Sequence, residues 1–234
     1  MSRGEIIVVE GSDYSGKRTQ TKLLFERLKR EGVPCETMSF PRYNTPTGKI
    51  VGGPYLGKPE ICLSWFDKPM LVPPKVASLY YAADRKAAVP EIEEILRLGK
   101  HIIMDRYAES NMAHQGAKAN TEKERDEIIR FINRLEYELL ELPKPKGIIF
   151  LHMPLQVVRE LRDKRCREER TYSDKAECDD EHLQKAVEVY NFLASTFSGW
   201  VRIDCAPDRT INSLKTPEQI HEEVYRVAKS IIGI

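Results

Sequence analysis

The residues with the clearest chemistry lie in segment 5–19, where a β-branched apolar run meets a loop bounded by glycines. Gly11 and Gly16 are separated by four residues, and Lys17 follows directly. This spacing turns backbone N–H groups towards a phosphate while the lysine amine reaches the outer phosphates. Glycine is needed because the backbone must adopt positive φ and approach the anion closely. The segment therefore predicts an ATP phosphate site formed by Gly11, Ser12, Asp13, Tyr14, Ser15, Gly16, Lys17, Arg18 and Thr19.

The residue after the lysine departs from the usual pattern. A serine or threonine hydroxyl there contacts Mg²⁺, whereas this chain has Arg18, with Thr19 one position later. A surface turn that carries two glycines by accident is the alternative interpretation. A helix predicted from about residue 17 to 30 favours the phosphate site, because its positive N-terminus points at the same anion.

Strands and helices alternate along the chain, which predicts a parallel sheet with right-handed crossovers. Five apolar segments are typical of strands: the run before Gly11, 35–40, 101–105, 147–153 and 200–204. Helices are expected at 17–30, within 42–57, at 75–98 with a break near Pro90, shortly after 106, and at 121–142, 155–170, 179–197 and 217–232. The proline-rich stretch 54–74 is predicted to be a long loop without regular structure.

Ligands of such a sheet bind beyond the carboxyl ends of its strands, where Gly11, Arg42, Arg106 and Met153 all fall. Asp105 ends the third strand, a position from which a carboxylate can hold Mg²⁺ or its bound water, although a helix cap is the alternative. Two arginines at this edge favour a bidentate clamp for a monophosphate over solvated surface charge.

Aromatic and polar residues also predict a base pocket, made by Phe40, Tyr80, Tyr81, Arg85 and Asn111. The rings would supply a stacking wall, and the polar groups would read the edges of a base. Arg85 can donate to a carbonyl oxygen of a base, and Asn111 can pair with the polar edge of a base. A purely structural role in the core is an equally good explanation for either tyrosine taken singly.

Length, net charge and cysteine spacing limit the kinds of protein that this chain can be. The 234 residues fit one α/β domain spanning 1–234, and a net charge of +1 gives no general attraction to nucleic acid or to an anionic membrane. Five cysteines without a C-x-x-C pair predict reduced thiols rather than disulfides or zinc. Without a long apolar stretch or a signal-peptide pattern, a cytoplasmic location is expected.

Taken in order, these motifs resemble the thymidylate kinases of the P-loop nucleoside-monophosphate kinase group, over nearly the whole chain. The matching segments are 11–20 with Asp13, then 40–43, 84–85, 105–107 with 110–111 and 115–116, and finally 142–145. The resemblance implies a three-layer P-loop NTPase fold, with a five-stranded parallel sheet, helices on both faces and a basic lid at about 162–178. It also implies transfer of the γ-phosphoryl group of ATP to dTMP, with Mg²⁺, by a homodimer.

The same resemblance assigns roles to individual residues. Asp13 lies near the sugar, the phosphate and the metal, Asp105 lies close to the metal, and Arg106 contacts the phosphates. The implied substrate-binding residues are Asp13, Phe40, Arg42, Tyr43, Tyr81, Arg85, Arg106, Ser110, Asn111, His114 and Gln115. His114 is a departure, because family members often have tyrosine there, close to C2′ of the sugar. Tyr43 is a partial substitute in discriminating against ribose.

A basic stretch in the predicted lid contains Arg165, Arg167 and Arg170. The family places a catalytic arginine either in the phosphate loop or in this lid, and Tyr14 occupies the loop position. The implied catalytic residues are therefore Lys17, Asp13, Arg106, Arg165, Arg167 and Arg170. The alternative for this stretch is a solvated helix face, and the functional alternatives are a kinase for another nucleotide or nucleoside, or a non-catalytic ATP-binding protein.

Overall fold

The computed structural model describes residues 2–169 and 180–234, with the side chains of 165–169 outside that description. The chain divides into two compact units. The sheet unit comprises Met1–Met38, Ile95–Asp105 and Pro145–Ile234, and the helical unit comprises Ser39–Glu94 and Arg106–Lys144. Among the described helices, none is long and apolar enough to cross a bilayer.

The sheet has five strands, in the order β2-β3-β1-β4-β5. They are β1 (Ile6–Glu10), β2 (Cys35–Ser39), β3 (His101–Asp105), β4 (Gly147–His152) and β5 (Trp200–Asp204). The central strand β1 pairs in parallel with β3 and with β4, and β4 pairs in parallel with β5. Every residue of β1 and of β4 is buried, as expected when both faces of a parallel sheet are covered.

Within the described residues of the sheet unit there are four helices: α1 (Lys17–Arg30), α6 (Leu155–Glu169), α7 (Asp180–Thr196) and α8 (Pro217–Ile232). Alternate strand residues such as Val9 and Ile149 form one core with Leu24 of α1 and Val224 of α8. On the strand positions between them, Phe150 stacks on Tyr190 of α7 at a centroid distance of 5.7 Å. The period of two thus places helices on both faces, which confirms the predicted fold class.

The helical unit contains α2 (Pro46–Ile50), most of α3 (Pro74–Arg97), α4 (Ala108–Gly116) and α5 (Glu122–Arg134). A π-helical turn at Val51–Tyr55 follows α2, and another at Leu135–Leu139 follows α5. Tyr55 is buried, and it forms a small apolar cluster with Val51, Val72 and Ala77.

Three local predictions are wrong in this unit. The helix expected to break near Pro90 is continuous, because Ala88, Ile92 and Leu96 keep one side of it buried through the proline. The helix expected at 121–142 ends at Arg134, where a wider turn carries Leu135 and Glu136 into the interior. The stretch 54–74 is not wholly irregular, since it begins within one π turn and contains a 3₁₀ turn at Pro69–Leu71.

Candidate active site

The phosphate loop leaves the carboxyl end of β1 and enters α1. A Cβ atom on Gly11, where φ is +156°, would lie 2.6 Å from Ser15 Oγ and 2.8 Å from the carbonyl oxygen of Leu151. Gly16 has open space but a φ of +84°, at the cap position of α1. One glycine is therefore required by contact and the other by backbone conformation, as the sequence spacing indicates.

Lys17 is buried, and its Nζ atom donates to the carbonyl oxygen of Ser12 at 2.6 Å. This contact folds the ammonium group back over its own loop, where a phosphate bound by the loop would also lie. The hydroxyl groups of Ser12 and Ser15 are buried and have no hydrogen-bond partner among the described residues. Tyr14 adopts a φ of +62°, a left-handed conformation that is rare for a bulky residue and is frequent at functional sites.

The residues around this loop fit a magnesium ion. Asp105 ends β3 in register with Val9, two residues before Gly11, and its Oδ1 atom is buried without a hydrogen-bond partner among the described residues. Asp13 lies half-buried within the loop itself, whereas Arg18 and Thr19 are both exposed. The described residues contain no cluster of three or more acidic, histidine or cysteine ligands, and Mg²⁺ needs only one or two carboxylates beside phosphates and waters.

In the helical unit, Asp84 organises the segment that carries Arg42. The Asp84 carboxylate accepts from the backbone N–H of Arg42 at 2.8 Å and from the Thr47 hydroxyl at 2.9 Å. The Arg42 guanidinium makes a 2.9 Å ion pair with the exposed Glu91. Asp84 lies in one of the sequence motifs, but no role was predicted for Asp84 or for Glu91.

Arg106 begins the segment between β3 and α4, and it adopts a φ of +67°. Its NH1 atom lies 3.2 Å from Ser110 Oγ and 3.2 Å from His114 Nε2. The structure therefore brings together three of the predicted substrate residues. A strained backbone of this kind persists where the surroundings fix it, which is common at ligand sites. The proposed clamp of Arg42 and Arg106 stays a prediction.

A buried polar network occupies the predicted base pocket. Arg85 Nε donates to Glu136 Oε2 at 2.8 Å, and a second Arg85 nitrogen pairs with Oε1 of the same carboxylate. Asn111 Nδ2 donates to Glu136 Oε1 at 2.9 Å and to the Ser78 carbonyl oxygen at 3.1 Å. Burial by itself lowers the pKa of Arg85, but the Glu136 carboxylate raises it above its ordinary value, so the guanidinium stays charged.

Glu136 lies within the long helix that the sequence predicts at 121–142, and it was not among the predicted site residues. One signal was available, because a buried arginine requires a buried acidic partner, and such a partner is sought among the nearby helices. The sequence already predicted that Arg85 contributes to a base pocket. No local pattern distinguishes Glu136 from the other acidic residues of 122–141.

The aromatic wall is partly a structural cluster. Tyr80 stacks on Tyr55 at 5.3 Å, and Tyr81 meets the same ring edge-on at 5.7 Å. Phe40 is buried and packs against Tyr107 at 5.8 Å. Both tyrosines are half-buried and pack against this small cluster, and their contact with a base stays a prediction.

Two further predicted residues, and one residue that was not predicted, have defined surroundings. The ring of Tyr43 lies under the ammonium group of Lys58 at 5.1 Å. Gln115 is buried, and its Oε1 atom has no partner among the described residues. Lys118, which was not predicted, donates to the Tyr55 hydroxyl at 3.3 Å and to the Val72 carbonyl at 3.2 Å.

The predicted lid lies largely outside the described residues. Arg170 is not described, and Arg165 and Arg167 are described only as part of the backbone of α6. Before them on α6, Arg159 forms a bidentate pair with Asp180, and Arg162 NH1 lies 3.2 Å from the same carboxylate. Asp180 begins α7, so these contacts join the two helices that border the undescribed segment.

A glycine-bounded loop between the central strand of a parallel sheet and the following helix defines a P-loop nucleotide-binding protein. Residues 9–216 match the model of the family described as thymidylate kinase, and the chain belongs to that family. It is therefore a nucleoside-monophosphate kinase, a phosphotransferase that uses ATP.

Individual relatives agree with this assignment. The thymidylate kinase of Homo sapiens is 33% identical over 153 residues, which span 65% of this chain and 63% of the human protein. The thymidylate kinase of Mycobacterium tuberculosis strain H37Rv is 28% identical over 225 residues, covering 91% of this chain and 98% of the relative. A solved thymidylate kinase structure from Candida albicans has a TM-score of 0.72 at 23% identity and covers 98% of this chain and 93% of its own, which shows the fold.

Proposed function

We propose that this chain transfers the γ-phosphoryl group of ATP to dTMP, giving dTDP and ADP, by direct in-line attack without a covalent intermediate. The orientation of the Asn111 amide is the observation that supports thymine as the base. Its Oδ1 atom is buried without a hydrogen-bond partner among the described residues, and its amide nitrogen shares a carboxylate with the buried Arg85. An acceptor beside a donor is complementary to N3–H and O4 of thymine.

The donor is held by the sheet unit in this proposal. Lys17 and the amides of the loop from Gly11 to Thr19 bind the β- and γ-phosphates. Asp105, with Asp13, would hold Mg²⁺, which neutralises charge on the phosphate oxygens when it is bound. Catalysis then rests on positioning and charge stabilisation rather than on covalent chemistry of the protein.

The acceptor is held by the helical unit. Arg42 and Arg106 bind the phosphate of dTMP, Arg42 by exchanging its ion pair with Glu91 for one with the phosphate. Phe40, Tyr43 and Tyr81, together with Ser110, His114 and Gln115, complete the substrate site. Because the acceptor phosphate is already ionised, no strong general base is needed. An arginine from the lid, at 165, 167 or 170, stabilises the charge that develops on the transferred group.

The family resemblance also supports a cytoplasmic homodimer. Light scattering of the purified chain at several concentrations tests the dimer, and a mass of one chain throughout would refute it. Fractionation of cells that make the protein tests the location, and recovery outside the soluble cell contents would refute the cytoplasmic assignment.

The substrate assignment is tested by ADP release from ATP and Mg²⁺ with dTMP, dUMP, dCMP and thymidine supplied in turn. We expect dTMP to give the highest kcat/KM. A higher value for another acceptor would identify a related kinase of different substrate. Binding of ATP without ADP release for any acceptor would identify a non-catalytic nucleotide-binding protein.

A further inference from the structure

We propose that Glu136 is a positioning residue that fixes the hydrogen-bond polarity of the base pocket. Glu136 holds Asn111 in an orientation that presents only an acceptor to the base. It also holds Arg85, which presents only donors to the base. The pocket then accepts a pyrimidine with N3–H beside a C4 carbonyl and rejects cytosine. This inference rests on the proposed function, because it concerns how the same site chooses its base.

The orientation of the Asn111 amide follows from its neighbours. Its nitrogen lies 2.9 Å from a Glu136 carboxylate oxygen and 3.1 Å from the Ser78 carbonyl oxygen. Both of these atoms can only accept, so a flipped amide would place oxygen against oxygen twice. The amide is therefore locked with Oδ1 directed away from Glu136 and Ser78, as a buried acceptor that lacks a partner among the described residues.

Arg85 is held by the same carboxylate. Two of its nitrogens are used in the bidentate pair with Glu136, and a guanidinium has five N–H groups and no acceptor. Whatever Arg85 presents to a base must therefore be a donor. Cytosine has an acceptor at N3 and an amino group at C4, so both of its groups oppose the polarity of this pocket, whereas thymine and uracil match it.

The carboxylate charge of Glu136 is essential to this arrangement. Its two oxygens receive three donated hydrogen bonds, two from Arg85 and one from Asn111, and all three side chains are buried. A glutamine at this position has only one oxygen and adds an N–H₂ group of its own. At least one of the donors would then face another donor, and either Asn111 would flip or Arg85 would move.

The test compares kcat/KM for dTMP and dCMP in the wild type, in Glu136→Gln and in the control Glu138→Gln. Glu138 is on the same π turn, in an exposed ion pair with Arg134. In the wild type we expect dTMP to be preferred over dCMP by at least about 100-fold. In Glu136→Gln we expect this preference to fall by at least about tenfold, mainly through the KM for dTMP, with the KM for ATP unchanged. Glu138→Gln should match the wild type.

A merely structural role for Glu136 has a different signature. It would lower the active fraction, and hence kcat, equally for both acceptors, and the preference for dTMP would be unchanged. That result would overturn the proposal while leaving the dTMP kinase assignment intact. If the wild type phosphorylated neither nucleotide, the proposed function itself would fail, so the two failures are distinguishable.

Two further measurements decide the matter if Glu136→Gln does not fold. Glu136→Asp keeps an acceptor-only carboxylate, and we expect it to retain the preference for dTMP even where affinity falls. In the wild type, N3-methyl-dTMP lacks the N–H that Asn111 would accept, so we expect it to be as poor an acceptor as dCMP. If the wild type turned over dCMP or N3-methyl-dTMP within about tenfold of its turnover of dTMP, the proposal would be overturned.

Discussion

Replacement of Arg85 by alanine should destabilise the protein strongly, because it leaves a buried carboxylate without its main cation. The side chains of Arg85 and Glu136 are 3% and 0% exposed, so the substitution leaves the carboxylate in the interior with the Asn111 amide as its remaining described donor. Removing one member of a buried ion pair costs about 3–5 kcal/mol of unfolding free energy. In a chain of this size, each kcal/mol shifts Tm by about 2–4 °C, so we expect Tm to fall by about 6–20 °C.

Thermal and urea unfolding of a double-mutant cycle measures this effect. The single variants of the cycle are Arg85→Met and Glu136→Leu, and the double variant Arg85→Met/Glu136→Leu removes both charges and keeps apolar volume. It should recover most of the loss, since buried pairs are often replaced by apolar residues at little cost. The coupling energy between the two positions should therefore exceed about 2 kcal/mol.

The exposed pair of Arg134 and Glu138 provides the matched control for this cycle. Its side chains are 71% and 63% exposed, so Arg134→Ala should change the unfolding free energy by less than about 1 kcal/mol. If Arg85→Ala cost no more than Arg134→Ala, or if the double variant were as unstable as the sum of the single variants, the reasoning from burial would be refuted.

Three other predictions address the phosphate loop and the helical unit. Lys17→Ala should lower kcat by at least about 10²-fold without changing the circular dichroism spectrum, whereas the exposed Lys22→Ala on the same helix should retain activity. Gly11→Ala should weaken ATP binding, measured by calorimetry, at least about tenfold, because the added Cβ would lie 2.8 Å from a backbone carbonyl oxygen. The control is Gly199→Ala, which also has a positive φ but has open space around it, and this variant should bind ATP as the wild type does. Burial lowers the pKa of Lys118 from 10.5 to about 8, so the unfolded chain binds more protons between these pH values. We therefore expect the unfolding free energy of the wild type minus that of Lys118→Met to rise by about 1–2 kcal/mol from pH 8 to 10. A difference that does not change with pH would contradict the lowered pKa of Lys118.

Local patterns in the sequence were sufficient to predict the sheet and the phosphate loop. The apolar runs that became β1 and β4 are buried on both faces, and alternation with helices allows few topologies. Gly11, Gly16 and Lys17 act within a single turn of chain, so their spacing alone defines their geometry. The same is true of Asp105, whose place at the end of a strand follows from the strand itself.

Predictions failed where local preference conflicted with packing. Pro90 disfavours a helix by about 3 kcal/mol, yet the buried side formed by Ala88, Ile92 and Leu96 keeps α3 continuous. The π turn after Arg134 has no sequence signal of its own. Both outcomes depend on contacts with residues distant in sequence, which a local pattern does not contain.

The sequence by itself determined the conformation of the predicted phosphate loop, because consecutive backbone groups form this loop and their conformation depends on a few neighbouring residues. Only the tertiary structure decided which side chains fix the base-reading groups, because Glu136 meets Arg85 across 51 residues and Asn111 across 25. Burial requires the Arg85 guanidinium and the Glu136 carboxylate to pair, and the choice among many acidic residues is made by the packing of helices rather than by their order in the chain.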